Sequence, residues 1–133
     1  LAQVAWGTDL HHLMNVIAVF LGGGLGAIAR WGTGLLMQSL FPHSSKAEMI
    51  GTLLANIMAC LILGVVAAKT MDQRFVLLLA VGFCGGFSTF STFSLELLAM
   101  IKMGNYWVAI AYAMLSIATG MIALVVGMKW VMR

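Results

Sequence analysis

Gly82-Phe83-Cys84-Gly85-Gly86-Phe87-Ser88-Thr89-Phe90-Ser91-Thr92-Phe93-Ser94 sets a glycine pair, five hydroxyls and four phenylalanines inside the uncharged run from Phe75 to Leu95. A run of about 20 apolar residues is long enough to cross a bilayer. Hydrocarbon offers no partner to freed backbone groups or hydroxyls, so a Gly-Gly break at that depth must be covered by protein or line a cavity holding water or an ion. The pattern predicts a third helix that starts near Arg74, breaks around Gly85-Gly86 and resumes through Ser88 to Lys102.

Outward from this stretch the chain has the same character. Of its 133 residues 62% are hydrophobic and 8% charged, where a soluble domain carries about 25% charged residues. Three more uncharged intervals, Leu10 to Ala29, Met49 to Ala68 and Met103 to Met128, each supply a span of ~20 residues. The fold class is therefore an all-α integral membrane protein with four transmembrane helices, the third broken. Four spans leave no room for a soluble catalytic domain, and the chain is not read as an enzyme. Helix one is expected over Leu13 to Leu40, ending before Pro42, and helix two over Glu48 to Ala68, with Ser44 and Ser45 placed to cap it. Helix four is expected from the Met103 to Asn105 turn to about Met128. Residues 1–13 read as a polar leader and residues 14–133 as one four-helix transmembrane domain. Ala27-Ile28-Ala29 imitates a signal cleavage site, but no Lys or Arg precedes it, so the first helix is read as retained.

The net charge of +3 does not mark a nucleic-acid partner, because the basic residues are scattered at span ends as interfacial anchors in contact with lipid. Cys60 and Cys84 lie in apolar runs without CxxC spacing and imply neither a disulfide nor zinc. His11-His12 alone is weak evidence for a metal. Lys69, Arg74, Lys129 and Arg133 fall on one side of the membrane and Lys46 and Lys102 on the other, with Arg30 inside the first helix. So weak a bias permits insertion both ways round, and two inverted copies would then share a two-fold axis in the membrane plane.

Several side chains carry chemistry. Gly22, Gly26, Arg30 and Gly34 recur every four residues, a stripe on which another helix can approach closely. Arg30 on that stripe is either a snorkelling charge or the electropositive wall of a vestibule that draws anions. Asn56, near the centre of helix two, must find a partner and is either interhelical glue or a donor. Tyr112 and Ser116 are four residues apart and share a face of helix four. Phe87, Phe90 and Phe93 recur every three residues, amid hydroxyls. Phenyl rings have positive edges, and with hydroxyl donors they suit a small, strongly hydrated anion. Carbonyls freed near Gly85 suit a cation instead. Glu96 is a terminal charge, a partner for a base or a proton carrier.

Taken in order, Gly22-Gly23-Gly24-Leu25-Gly26-Ala27-Ile28-Ala29-Arg30-Trp31, Gly51-Thr52-Leu53-Leu54-Ala55-Asn56 and Gly82 through Glu96 resemble the Fluc/CrcB fluoride-channel family over nearly the whole chain after residue 13. The resemblance implies a dual-topology antiparallel homodimer with two fluoride pathways and a central structural sodium ion. It implies that backbone oxygens of Gly85 and Ser88 bind Na+, that Phe90 and Phe93 offer ring edges to fluoride, and that Asn56 donates from the pore wall. Thr92, Tyr112, Ser116 and Glu96 resemble further pathway positions, and Arg30 the vestibule arginine. Ser88 stands where the family more often has threonine, and Ala59-Cys60 replaces a more usual glycine-containing pair. The function so implied is passive, selective fluoride export across a bacterial plasma (inner) membrane. The alternative is a small dual-topology proton-coupled drug exporter, which calls for a carboxylate at mid-membrane in the first helix; that helix has none. A structural membrane-assembly subunit would explain the glycines but not the hydroxyls and phenylalanines.

Overall fold

The computed structural model describes the backbone of residues 2–44 and 46–133 and the side chains of residues 10–44 and 46–133. The cap expected from Ser45 and the side chain of Asp9 lie outside the described residues. The elements are helical throughout: α1 (Ala2–Leu40), α2 (Ala47–Ala68), α3 (Gln73–Val76), a π-helical segment (Leu77–Cys84), α4 (Gly85–Phe87), α5 (Phe90–Lys102) and α6 (Tyr106–Val131). Among the described residues four stretches are long and apolar enough to cross a membrane, Leu10–Leu40, Ala47–Ala68, Gln73–Lys102 and Tyr106–Val131. The chain is a multi-pass membrane protein.

Local chemistry sets the ends. Asp72 caps α3 by accepting the Arg74 N–H at 3.1 Å. After α5, Gly104 takes φ 76°, where a side chain would be strained, and the Gly104 and Asn105 N–H groups donate to Ile101 O and Met100 O at 3.0 and 2.9 Å. This closure satisfies carbonyls the helix end leaves over and reverses the chain in three residues. The Ser44 hydroxyl accepts the Lys46 N–H at 3.2 Å, whereas Lys46, the residue at the N-cap of α2, provides no side-chain cap. α1 starts at Ala2 rather than near Leu13, so the segment read as a leader continues the first helix. It holds no proline and only Gly7, and a helix already nucleated propagates through such a sequence.

Glycines bring the helices together at backbone distance in two pairs. A Cβ on Gly22 would collide with Leu78 O, one on Gly26 with Phe83 O, and one on Gly86 with Gly23 O, so α1 lies directly on the π-helical segment and α4. Likewise a Cβ on Gly64 would strike Leu124 O and one on Gly127 would strike Leu61 O, joining α2 to α6. The two pairs meet where Gly51 faces Gly34, its Cβ position 3.3 Å from the Gly34 Cα. The glycine stripe of α1 therefore serves two neighbours: Gly22 and Gly26 face the third span, Gly34 faces α2. Between them Ala55, Ala59, Cys84 and Phe87 form the buried cluster at the centre of the protomer.

Substituting Gly26→Ala puts a methyl against the Phe83 carbonyl and is expected to destabilise by about 1–3 kcal/mol, the usual range for overpacking. Gly32→Ala meets nothing within 4 Å and is expected to be neutral or to stabilise by up to about 1 kcal/mol through helix propensity. Thermal unfolding of the detergent-solubilised variants measures both; equal melting temperatures would contradict the packing described.

Candidate functional site

The third span is interrupted at Ser88 and Thr89, which take extended backbone angles (ψ 155° and φ −148°, ψ 112°) between α4 and α5. Gly85, by contrast, is helical at φ −64°, ψ −36°, and α4 includes Gly86. The break expected at Gly85-Gly86 thus falls after Phe87. Glycine permits a break without requiring one, and here both glycines lie in a helix that their small size lets approach α1.

Two side chains take the N–H groups that a continuous helix would use. The Thr89 N–H, which would close on Gly85 O, donates to Asn56 Oδ1 at 2.8 Å. The Thr92 N–H, which would close on Ser88 O, donates to Thr89 Oγ1 at 3.2 Å, Thr89 being the N-cap of α5. The carbonyls of Gly85 and Ser88 are thereby released from helical bonding. Gly85 is exposed in the protomer, with nothing within 4 Å of its Cβ position.

The same bond orients Asn56. Because Oδ1 must face the Thr89 N–H, the two donors of Nδ2 point away from it. Asn56 lines an open cavity of 280 Å³ together with Ser88, Thr89, Phe90, Phe93 and Ser116, and with Cys60, Ile117 and Gly120 closing its sides. Ser116 Oγ is buried and has no hydrogen-bond partner, and among the described residues nothing accepts from Asn56 Nδ2. The Phe90 and Phe93 rings are tilted by 46° with centroids 6.1 Å apart, and Phe93 meets Tyr112 at 5.3 Å and 52°. Phe93 is 9% exposed, whereas Phe90 is 81% exposed and stands out from the protomer. Phe87 does not share their face. It is buried with Cys84 and tilts against Phe83 at 5.4 Å, because the extended residues reset the helical register between positions 87 and 90.

A second cavity, of 210 Å³, is lined by Arg30, Glu48, Thr52, Thr89, Thr92 and Glu96 among others. Glu96 is held at both oxygens: Thr52 donates to Oε1 at 2.6 Å and the Tyr112 hydroxyl to Oε2 at 2.8 Å. Met49 O lies 3.3 Å from the same phenol, too far to compete for its one proton. No hydrogen bond joins Arg30 to Glu48 or Glu96 among the described residues, so the positive charge that Arg30 brings to the cavity lining is not directly paired. Glu96 thus accepts from two hydroxyls and fixes both. Of the hydroxyls on the third span, Ser88 and Ser94 donate back to Cys84 O and Phe90 O, each at 2.8 Å, and are used up in the helix.

The structure therefore gathers Asn56, Ser88, Phe90, Phe93 and Ser116 at one cavity, and Arg30, Thr92 and Glu96 at the other, with Tyr112 reaching Glu96 from α6. Sequence reasoning missed Thr52 and Thr89. Thr52 is four residues before Asn56, one turn away on the same face. Thr89 carried the signal of a cap, a hydroxyl residue just ahead of a helix that resumes.

The chain matches the family described as "CrcB-like protein, Camphor Resistance (CrcB)" over residues 17–128. It is 39% identical over 125 residues to the "Fluoride-specific ion channel FluC" of Gloeothece citriformis, covering 91% of this chain and 99% of that protein. The protein of the same name from Nitrosomonas europaea is 41% identical over 77% of this chain and 79% of its own length. That of Coxiella burnetii is 40% identical over 79% of this chain and 87% of its own.

Replacing Asn56 by Leu keeps its bulk and leaves the buried Thr89 N–H without an acceptor. The expected cost is about 1–3 kcal/mol, read as a lower unfolding midpoint together with faster hydrogen exchange at the Thr89 amide. Unchanged protection of that amide would show that another acceptor holds the break.

Proposed function

The chain belongs to the CrcB family, and from that premise we propose that it is a fluoride-selective channel through which fluoride leaves the cell down its electrochemical gradient. One observation carries the reading beyond the names of the relatives: the 280 Å³ cavity is lined by Asn56 and Ser116, which carry donors without protein acceptors, together with Phe90 and Phe93. A small anion gives up its water only where several weak contacts replace it, and must not bind so well that it stays. Ring edges and neutral donors meet both demands without a fixed charge. In this reading Arg30 concentrates fluoride at the other cavity, where Thr92 and the Thr52–Glu96–Tyr112 set form its wall. Hydrogen fluoride crosses membranes as a neutral acid and dissociates inside, so an open anion path lets the membrane potential drive the ion out. The membrane proposed is the inner membrane of a bacterium.

The working unit we infer is a homodimer of inverted subunits. The exposed Gly85 and the protruding Phe90 support it, because freed backbone oxygens at that depth cannot be left against lipid. Two protomers about a two-fold axis would bring two Gly85 and two Ser88 carbonyls together, a neutral all-oxygen donor set suited to a hard monovalent cation such as Na+. Bound there, sodium would supply positive charge that holds the four carbonyls in place.

Fluoride efflux from liposomes holding only this protein, with chloride as control, tests the function. Rapid fluoride loss without chloride loss is expected; efflux that needs an imposed proton gradient would favour a coupled exporter instead. In the same assay Phe90→Ile or Phe93→Ile should depress fluoride flux while assembly persists, since isoleucine keeps apolar bulk but has no positive edge. Wild-type flux in the double variant would eliminate the ring-edge contribution. Replacing Na+ by a large organic cation on both sides should slowly impair flux or dimer integrity, and a fluoride flux stoichiometrically coupled to a sodium gradient would contradict a structural ion.

A further inference from the structure

We propose that Thr89 is the partition between the two cavities and determines which anions pass from one to the other. The inference rests on the reading of these cavities as the fluoride route, and it assigns a role to a residue outside the family-like set of positions. Thr89 lines both the 210 Å³ cavity beside Arg30 and the 280 Å³ cavity beside Phe90 and Phe93. It is 5% exposed and fixed from every side. Its N–H is bound to Asn56 Oδ1 at 2.8 Å. Its hydroxyl accepts the Thr92 N–H at 3.2 Å and donates to Thr92 Oγ1 at 3.0 Å. With that proton committed, the 3.3 Å contact to Ser91 Oγ has Ser91 as donor, which fills the second lone pair of Thr89.

Two consequences follow from this accounting. First, the Thr89 side chain cannot swing aside without giving up three hydrogen bonds, while its backbone is held by a fourth, so the wall it forms between the cavities is rigid, and a rigid wall discriminates by ion size. Second, Thr92 receives the Thr89 proton and keeps its own, so the donor facing the Arg30 cavity is the Thr92 hydroxyl, polarised by the one behind it. Ions reaching the partition meet a donor on the Arg30 side, and on the other side they meet the free Asn56 amide. The Asn56 donors are available because the Asn56 oxygen is engaged by Thr89 itself.

Serine, glycine and asparagine all serve as helix N-caps, so they preserve the start of α5 while changing what stands between the cavities. Fluoride and chloride efflux from proteoliposomes of Thr89→Ser, Thr89→Gly and Thr89→Asn separates partition from cap. Thr89→Ser keeps the hydroxyl and should pass fluoride within about twofold of wild type, a smaller change than losing a hydrogen bond brings. Thr89→Gly opens the partition, and its fluoride-over-chloride ratio should fall by about tenfold or more, a change of ~1.4 kcal/mol in the relative barriers of the two ions. Thr89→Asn fills the gap and should slow fluoride by about the same factor. If capping is all that Thr89 does, the three variants are equivalent; a wild-type ion ratio in Thr89→Gly overturns the proposal. Should Thr89→Asn fail to assemble, the Ser and Gly pair still decides. A wild-type chain that passes neither ion would instead remove the fluoride reading, and the partition with it.

Discussion

At the middle of the third span a backbone N–H is handed from its own helix to a side chain 33 positions earlier in the sequence, the Thr89 N–H to Asn56 Oδ1. Inside a membrane such a group has to be paired, and a helix normally pairs it internally. Once Asn56 provides the acceptor, the helix can stop at Phe87 and restart at Phe90. The carbonyls behind the break come free, the amide of Asn56 is turned toward the cavity, and the aromatic register shifts so that Phe87 packs inward while Phe90 points out. Each element of the site depends on that one bond being made at depth.

Much of this was legible in the sequence because a bilayer permits so few solutions. Four uncharged intervals of the right length are enough to locate the spans, and the coincidence of glycines, hydroxyls and phenylalanines marks the third as the one with a task. Arg30, Asn56, Phe93, Ser116 and Glu96 all face cavities, as residues too polar or too regularly placed for a lipid face should. The position of the break was not legible, and the reason is physical. Glycine marks where a helix is free to break, but the location here is fixed by the distant Asn56 acceptor and by the Thr89 cap, and a local reading follows only the nearer signal. The period of three in Phe87, Phe90 and Phe93 misled in the same way, since a periodicity keeps its meaning only while the helix is continuous.

The polar lining shows a division of labour that composition cannot reveal. Serines 88 and 94 spend their protons on their own helix, and Thr52 and Tyr112 spend theirs on Glu96. What remains unspent is small: the Asn56 amide, the Ser116 hydroxyl and the Thr92 hydroxyl. A carboxylate in the proposed anion route looks like an obstacle, yet Glu96 with both oxygens occupied by donors presents less bare negative charge and holds two side chains in place. Arg30 stands in the same cavity without a hydrogen bond to it, so its charge is not cancelled by a direct pair.

Backbone lies against backbone where α1 crosses the third span, with glycine on both sides at Gly22 and Gly82 and again at Gly23 and Gly86. Side chains between helices act as springs, since a rotamer change lets the helices slide or tilt; at these glycine contacts there are none to flex. The two helices are consequently locked as a girder, and the same holds for α2 and α6 through Gly64 and Gly127. In the proposed channel, motion that accompanies an ion would then fall to side chains turning within that frame, in the picosecond to nanosecond range rather than with the slower shifts of whole helices. Traffic through the proposed channel would move at the pace of those rotamers.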